Sequence, residues 1–481
     1  MNGESESSIK KYRRLGKNTI LIFIGNIGSK LINLVLLPFY TQWLSPEEYG
    51  KTELIITYST IVFWIVSCSI FDSVFVFPKE QSEEKKKEYF TSALLFGVVS
   101  VLLCSAVSSV VYSIGINAGW KGFIFENIWQ IFGIMSLMYV QTLVQEFVRA
   151  IDKFAVYSIT GIVQAGVITV FSFFLIPHYG VRGFVLAYAI GYTIAAFYSF
   201  LFSRAYEFFD LKRATVKSTV EMLRYSLPLV PNGIMVFFLG SVSLPVLESL
   251  IGLTAVGLYS MSYKIARMVN ILPSMFQKAW LTFAIEESND TKQYSRFYNN
   301  ALKGLTVIQS LGMVFIMFVA HIYIQQCMSV EYHDAYQYIP ILLMGYIFCN
   351  MGEFIGSNFV IVKKSKYYFY STFWSGCVNV VLNFILIPVF SIWGACLAFL
   401  IAQSLNLFLR IMFSKRIVPI TDVSFYVKNG ALSVFCVLFI YISSSDIEFL
   451  ILALTFLCIC IINLKIIKSL ISKALKIWKL T

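Results

Sequence analysis

Long apolar runs alternate with short polar connections from one end of the chain to the other. An α-helix needs roughly 20 apolar residues to cross the hydrocarbon core of a bilayer. Runs of that length stand near residues 18–43, 53–77, 90–114, 123–148, 155–177, 183–203 and 225–248, and again near 255–281, 298–323, 336–361, 367–389, 391–413, 424–443 and 447–467. The pattern predicts an all-α integral membrane protein with about 14 transmembrane helices. No small-residue cleavage site follows the first run, so that run is expected to be a retained helix.

Composition agrees, with 58% hydrophobic and 13% charged residues, which takes the chain out of the range of soluble globular domains. A net charge of +12 would suit nucleic acid if it were concentrated on a polar domain, but here the basic residues sit in short connections, so no nucleic-acid partner is expected. Membrane topology explains them instead. If the first connection faces outward, the segments assigned to the inside carry 28 Lys and Arg, against three outside, Lys51, Lys121 and Arg182. Both termini and the 78–89 loop are therefore expected in the cytoplasm. The basic, amphipathic 468–481 tail is expected to lie on anionic lipid of the inner leaflet, making membrane lipids a partner. The nine cysteines fall almost entirely inside apolar runs and lack metal-ligand spacing, so they read as small hydrophobes, and no metal or other cofactor is expected.

Shifted by 211 residues, the chain matches itself: Leu175-Ile176-Pro177 falls on Leu386-Ile387-Pro388, and Lys153, Tyr157, Gly183, Ala187 and Ser203 fall on Lys364, Tyr368, Gly394, Ala398 and Ser414. At a shift of 207, Leu37-Pro38 meets Leu244-Pro245 and Gly50 meets Gly257. Six helices per repeat is an even number, so the halves share one orientation. The expected organisation is a cytoplasmic segment 1–17, an N-lobe 18–203, a cytoplasmic linker 204–224, a C-lobe 225–413, two extra helices within 414–467 and the tail 468–481. Two parallel six-helix lobes around a central cavity form a transporter architecture.

Charge inside the membrane costs on the order of 2.5 kcal/mol or more per residue and usually marks a pathway. Lys278, Lys303, Arg410 and Lys428 lie near the inner ends of their spans and are expected to reach the interface. Lys30, Lys264 and Arg267 lie deeper. Asn26, Lys30 and Asn33 share a helical face, and Ser260, Lys264, Arg267, Ser274 and Lys278 form a comparable stripe along the eighth span. These residues form a candidate anion site, in which Arg supplies charge-assisted hydrogen bonds and Lys a point charge. Asp72 and Glu353 are the candidate coupling or ion-pair carboxylates.

Several motifs are similar to those of a known family: Leu44-Ser45-Pro46-Glu47-Glu48-Tyr49-Gly50, Ser226-Leu227-Pro228-Leu229-Val230-Pro231-Asn232-Gly233, Gly257-Leu258-Tyr259 with Lys264-Ile265, and Phe276-Gln277-Lys278-Ala279-Trp280. They resemble the polysaccharide-transporter branch of the multidrug/oligosaccharidyl-lipid/polysaccharide exporter superfamily. The resemblance implies a flippase, not an enzyme, that carries an undecaprenyl-pyrophosphate-linked oligosaccharide outward across the bacterial plasma membrane by alternating access, for O-antigen, capsule or exopolysaccharide synthesis. It also implies a glycan polymerase of the same pathway as a candidate partner. Lys264 falls on a lysine common in this branch. The branch often carries an Asp followed by a basic residue in the middle of the seventh span, where this chain reads Ser241-Val242-Ser243-Leu244-Pro245. The alternative is a multidrug or ion-coupled antiporter of the same superfamily, which would be expected to rely on deep carboxylates in the first lobe.

Overall fold

The structure, a computed structural model, describes residues 28–274, 276–277, 280, 291–362, 364–415, 417–442, 445–469 and 472. Its helices are α1 (28–43), α2 (Pro46–Ser67), α3 (Ile70–Val76), α4 (Glu83–Ala118), α5 (Phe123–Glu126), α6 (Ile128–Ala150), α7 (Phe154–Phe202), α8 (Val216–Ser226), α9 (Val230–Gly240), α10 (Ser243–Leu250) and α11 (Leu253–Ala266). They continue with α12 (Thr291–Cys327), α13 (Ile339–Ile361), α14 (Ser365–Phe390), α15 (Ile392–Ser414), α16 (Val423–Ile442) and α17 (Ser445–Ile462). Among the described residues there is no strand, and helix occupies part or all of every expected span. Nine described helical segments are long and apolar enough to cross a membrane, and α2 with α3, bent by 62°, makes a tenth. Outward faces are apolar: Val98, Leu102, Leu103 and Val107 on α4 are 55–63% exposed, a surface that lipid solvates and water does not.

The motif after the first span has a local reason to fold as it does. Ser45 Oγ accepts from the Glu48 N–H at 3.3 Å, while Glu48 Oε2 accepts from the Ser45 N–H at 3.0 Å, a capping box with Pro46 at the first helical position. At the other end of α2, Cys68 and Ser69 take positive φ angles (48° and 53°), and α3 departs at the bend.

Helix α7 has 49 residues, about 74 Å at 1.5 Å per residue, more than twice the thickness of a bilayer core. It is two spans joined at Gly180, where φ is 51° and ψ −126°. The equivalent residue one repeat later, Ser391 between α14 and α15, has φ 52° and ψ −129°. A Cβ on Gly183 would stand 2.2 Å from the Leu175 carbonyl oxygen, and one on Gly394 2.3 Å from that of Leu386. The turn at the start of each pair repeats as well: Ile151 N–H to Phe147 O (3.1 Å) and Lys153 N–H to Val148 O (3.1 Å) reappear as Val362 to Asn358 (3.0 Å) and Lys364 to Phe359 (2.7 Å). The 211-residue repeat is thus present in backbone conformation as well as in sequence.

The chain divides into two compact units between Ile234 and Met235, inside α9. The core of the first gathers Phe63, Ile70, Phe71, Phe90, Phe147 and Met222, with the Phe90 and Phe147 rings stacked at 4.0 Å. Residues 204–224, expected as a linker, fold within this unit into two 3₁₀ turns and α8. They are pinned to the start of α4: Arg213 pairs with Glu84 at 3.0 Å, the Thr215 N–H donates to Ser92 Oγ at 3.0 Å, and Thr215 and Ser218 hydroxyls donate to Glu88 at 2.9 and 2.5 Å. In the second unit Trp280, Tyr298, Leu302, Phe354 and Val418 form the core, with Trp280 stacked on Phe297 at 5.3 Å and Tyr298 on Phe354 at 5.2 Å.

Candidate functional site

In the first unit, Lys30 and Asn33 are three residues apart on α1 and both are exposed. Asn26 lies outside the described residues. Asp72 occupies the first turn of α3, directly after the bend. It lies within electrostatic range of Glu146 and Arg149, which pair with each other at 3.2 Å, while the Arg149 guanidinium sits 3.9 Å from the Phe75 ring centre.

In the second unit, Lys264 closes α11 and Arg267 opens a 3₁₀ turn, Arg267–Asn270. Basic side chains are favoured there, where the last helical carbonyls lack partners. The 3₁₀ turn changes the angular step per residue, so the stripe expected along the eighth span is interrupted. Ser260 is buried at 3% exposure, Lys264 and Ser274 are half-buried, and Arg267 is exposed. Lys278 lies outside the described residues. Among the described residues Arg267 has no carboxylate partner; the hydroxyls of Tyr346 and Tyr263 lie within its electrostatic range. Those two rings are 5.3 Å apart, and both pack on Phe399, at 5.2 and 5.6 Å.

From this aromatic group a polar seam runs along the α13–α15 packing. Tyr346, Asn350 and Glu353 share one face of α13, and Gln403, Asn406 and Arg410 share one face of α15. Small residues let the helices close: Gly345 lies against Phe399, and Gly352 against Leu407 and Arg410. At the seam's end Arg410 Nη1 donates to Glu353 Oε1 at 2.8 Å, its Nε to Ser371 Oγ at 3.1 Å and its Nη2 to Thr372 Oγ1 at 3.2 Å. Tyr368 donates to the other Glu353 oxygen at 2.7 Å, and its ring centre stands 4.2 Å from the guanidinium. Gln277, from the Phe276–Trp280 motif, donates to the Glu353 carbonyl at 2.9 Å. Cys349 lies within electrostatic range of Arg267, Glu353 and Arg410 alike. Asn350 Nδ2, Gln403 Oε1 and Asn406 Oδ1 are buried without a hydrogen-bond partner among the described residues.

One expectation changes here. Arg410 does not reach the interface; at 1% exposure it is a buried ion-pair partner. The neutral amides of the seam escaped a reading that tracked charge, although their three- and four-residue spacing within apolar runs was visible. The departure at Ser241–Pro245 also acquires a structural meaning, since α9 ends at Gly240 and α10 begins at Ser243. Carbonyls freed by the break accept from Asn379 Nδ2, Phe238 O at 2.9 Å and Leu239 O at 3.2 Å, so an amide stabilises the discontinuity.

Apolar exterior, repeated helix pairs and a polar interior seam define the class: a multi-pass, all-helical membrane protein. The chain belongs to the polysaccharide biosynthesis protein family, whose sequence model matches residues 15–281. An uncharacterized membrane protein of Methanocaldococcus jannaschii is 23% identical over 412 residues, covering 82% of this chain and 96% of that protein. The fold is shared with the lipid II flippase MurJ in an inward closed conformation, with a TM-score of 0.72 at 18% identity over 93% of this chain and 100% of that one. It is also shared with an inward-facing multidrug resistance MATE transporter of the MOP superfamily, with a TM-score of 0.65 at 13% identity over 82% and 94%.

Proposed function

We propose that the protein is a flippase, not an enzyme, that moves an undecaprenyl-pyrophosphate-linked glycan repeat unit from the inner to the outer face of the bacterial plasma membrane, for O-antigen, capsule or exopolysaccharide synthesis. Lys30 and Asn33 in the first unit and Lys264 and Arg267 in the second supply the contacts for the pyrophosphate, with Asn26 and Lys278 extending the two sets. The observation that carries this reading is Arg267: a guanidinium in the expected eighth span with no carboxylate partner among the described residues, in a family of polysaccharide biosynthesis. Two phosphates and a sugar chain cannot enter hydrocarbon unpaired, and a cation exposed within a span offsets that cost. Glu353 is a poor coupling carboxylate, because Arg410 and Tyr368 occupy both of its oxygens.

The test is to replace Lys30, Lys264 and Arg267 singly by Ala in cells that depend on the protein for surface glycan. Arg267→Ala is expected to abolish surface glycan with membrane abundance near the parent level. Parent-level glycan in all three variants would discard the anion site.

A further inference from the structure

Two of the three basic residues assigned to the outside, Lys51 and Arg182, lie on one cleft of the first unit, a space of about 460 Å³. The cleft is formed where the start of α2, the α5–α6 corner and the Gly180 turn of α7 meet, at the end of the unit opposite its basic loops. Glu48, Glu126, Gln130 and Tyr179 complete the lining used here. This volume lies within the roughly 300–1,000 Å³ of small-molecule sites.

The lining has two properties that packing does not explain. Its two cations and two carboxylates form no ion pair with one another among the described residues, although opposite charges around one small space would gain by closing together. Glu48 Oε2 is committed to the Ser45 cap, and Arg182 stands just beyond the turn at Gly180. Second, Gln130 Oε1 is buried without a hydrogen-bond partner among the described residues, a state that costs about 1–3 kcal/mol unless water or a ligand donates to it.

A ligand that satisfies cations, carboxylates and an amide oxygen in one space must donate and accept hydrogen bonds all round. Sugar hydroxyls do both, and the apolar face of a sugar ring can lie on an exposed ring such as Tyr179, 62% exposed. The geometry points to a saccharide-binding cleft on the outer face of the first unit, distinct from the intramembrane cations, that receives a sugar of the glycan once it is outside. The choice of a saccharide rests on the proposed function.

The experiment uses the full-length protein in phosphatidylglycerol nanodiscs and saturation-transfer NMR. Its probes are soluble oligosaccharides released by mild acid from the same cells' lipid-linked precursors, with phosphoethanolamine as the comparison. Saturation transfer to the oligosaccharides is expected, weakened about tenfold or more in affinity by Glu126→Gln with Arg182→Gln, since each removes a charged hydrogen-bond partner. Both side chains are exposed, so the variant is expected to fold. Absent transfer to the oligosaccharides, transfer to phosphoethanolamine instead, or affinity unchanged in the variant would each overturn the cleft. The probe carries no lipid or phosphate, so a protein that flips its substrate but fails this test loses only the cleft, and one that binds sugar but does not flip loses only the proposed function.

Discussion

Arg410 is held by Glu353, Ser371, Thr372 and the Tyr368 ring. Removing Glu353 leaves the buried Arg410 charge uncompensated, at a cost of about 3–5 kcal/mol, removing Arg410 costs less because the Glu353 side chain is 33% exposed, and removing both together is often nearly neutral. Arg410→Met and Glu353→Leu are each expected to lower thermal stability in detergent, and the double variant to recover most of the loss. Losses that simply add would mean that the two charges are not coupled. Glu353 was legible in the sequence as an acid within a span. The burial of Arg410 was not, because distance along a helix to its end does not reveal how closely α13 and α14 pack around it. Depth is a property of the chain; enclosure is a property of its neighbours.

At the scale of elements, the clearest legible feature was the Leu-Ile-Pro and Gly pattern at a 211-residue shift, because it encodes a backbone event. At Gly180 and Ser391 the backbone takes nearly the same conformation, with φ 51° and 52°. Glycine accepts it freely, whereas a residue with a Cβ incurs about 1–3 kcal/mol of strain. Ser391→Gly is therefore expected to stabilise the protein by about 1 kcal/mol after the added freedom of the unfolded chain is counted, and Gly180→Ser to destabilise it by about as much or more. Paired melting curves check this, and shifts of the same sign would contradict it. The breaks at Cys68–Ser69 and Gly240–Ser243 were not legible, since each lies inside a continuous apolar run and is set by packing.

A second element-scale prediction concerns the start of α4. Its 36 residues extend about 54 Å, beyond a core of about 30 Å, so its charged first turns, with Glu88, stand outside the membrane. Hydrogen bonds from Lys85, then Ser218 and Thr215, hold the Glu88 carboxyl down to about 2. A carboxylate depressed in the folded state stabilises it fully above its ordinary value of 4.5, and that contribution fades as pH falls through about 2. The attachment of residues 204–224 to α4 is thus expected to resist proteolysis at pH 4, and Glu88→Gln to make the segment cleavable there. Equal cleavage of parent and variant would show that Glu88 does not hold it.

For the molecule as a whole, the distribution of Lys and Arg carries the topology. An error of one span anywhere would invert the bias beyond it, and the 28 to three division shows no inversion. Gln81 lies just before α4 and Lys121 just after it, at opposite ends of one helix long and apolar enough to cross a membrane. We therefore expect Gln81→Cys to react with a membrane-impermeant maleimide only after the cells are permeabilised, and Lys121→Cys to react in intact cells. Both positions are exposed and stand between helices, so neither change disturbs the packing being probed. Native cysteines within spans are background and are removed by comparison with the unmodified chain. Reversed labelling would place the basic loops outside, move the Lys51 and Arg182 cleft to the cytoplasmic face, and turn a receiving site for exported sugar into a loading site.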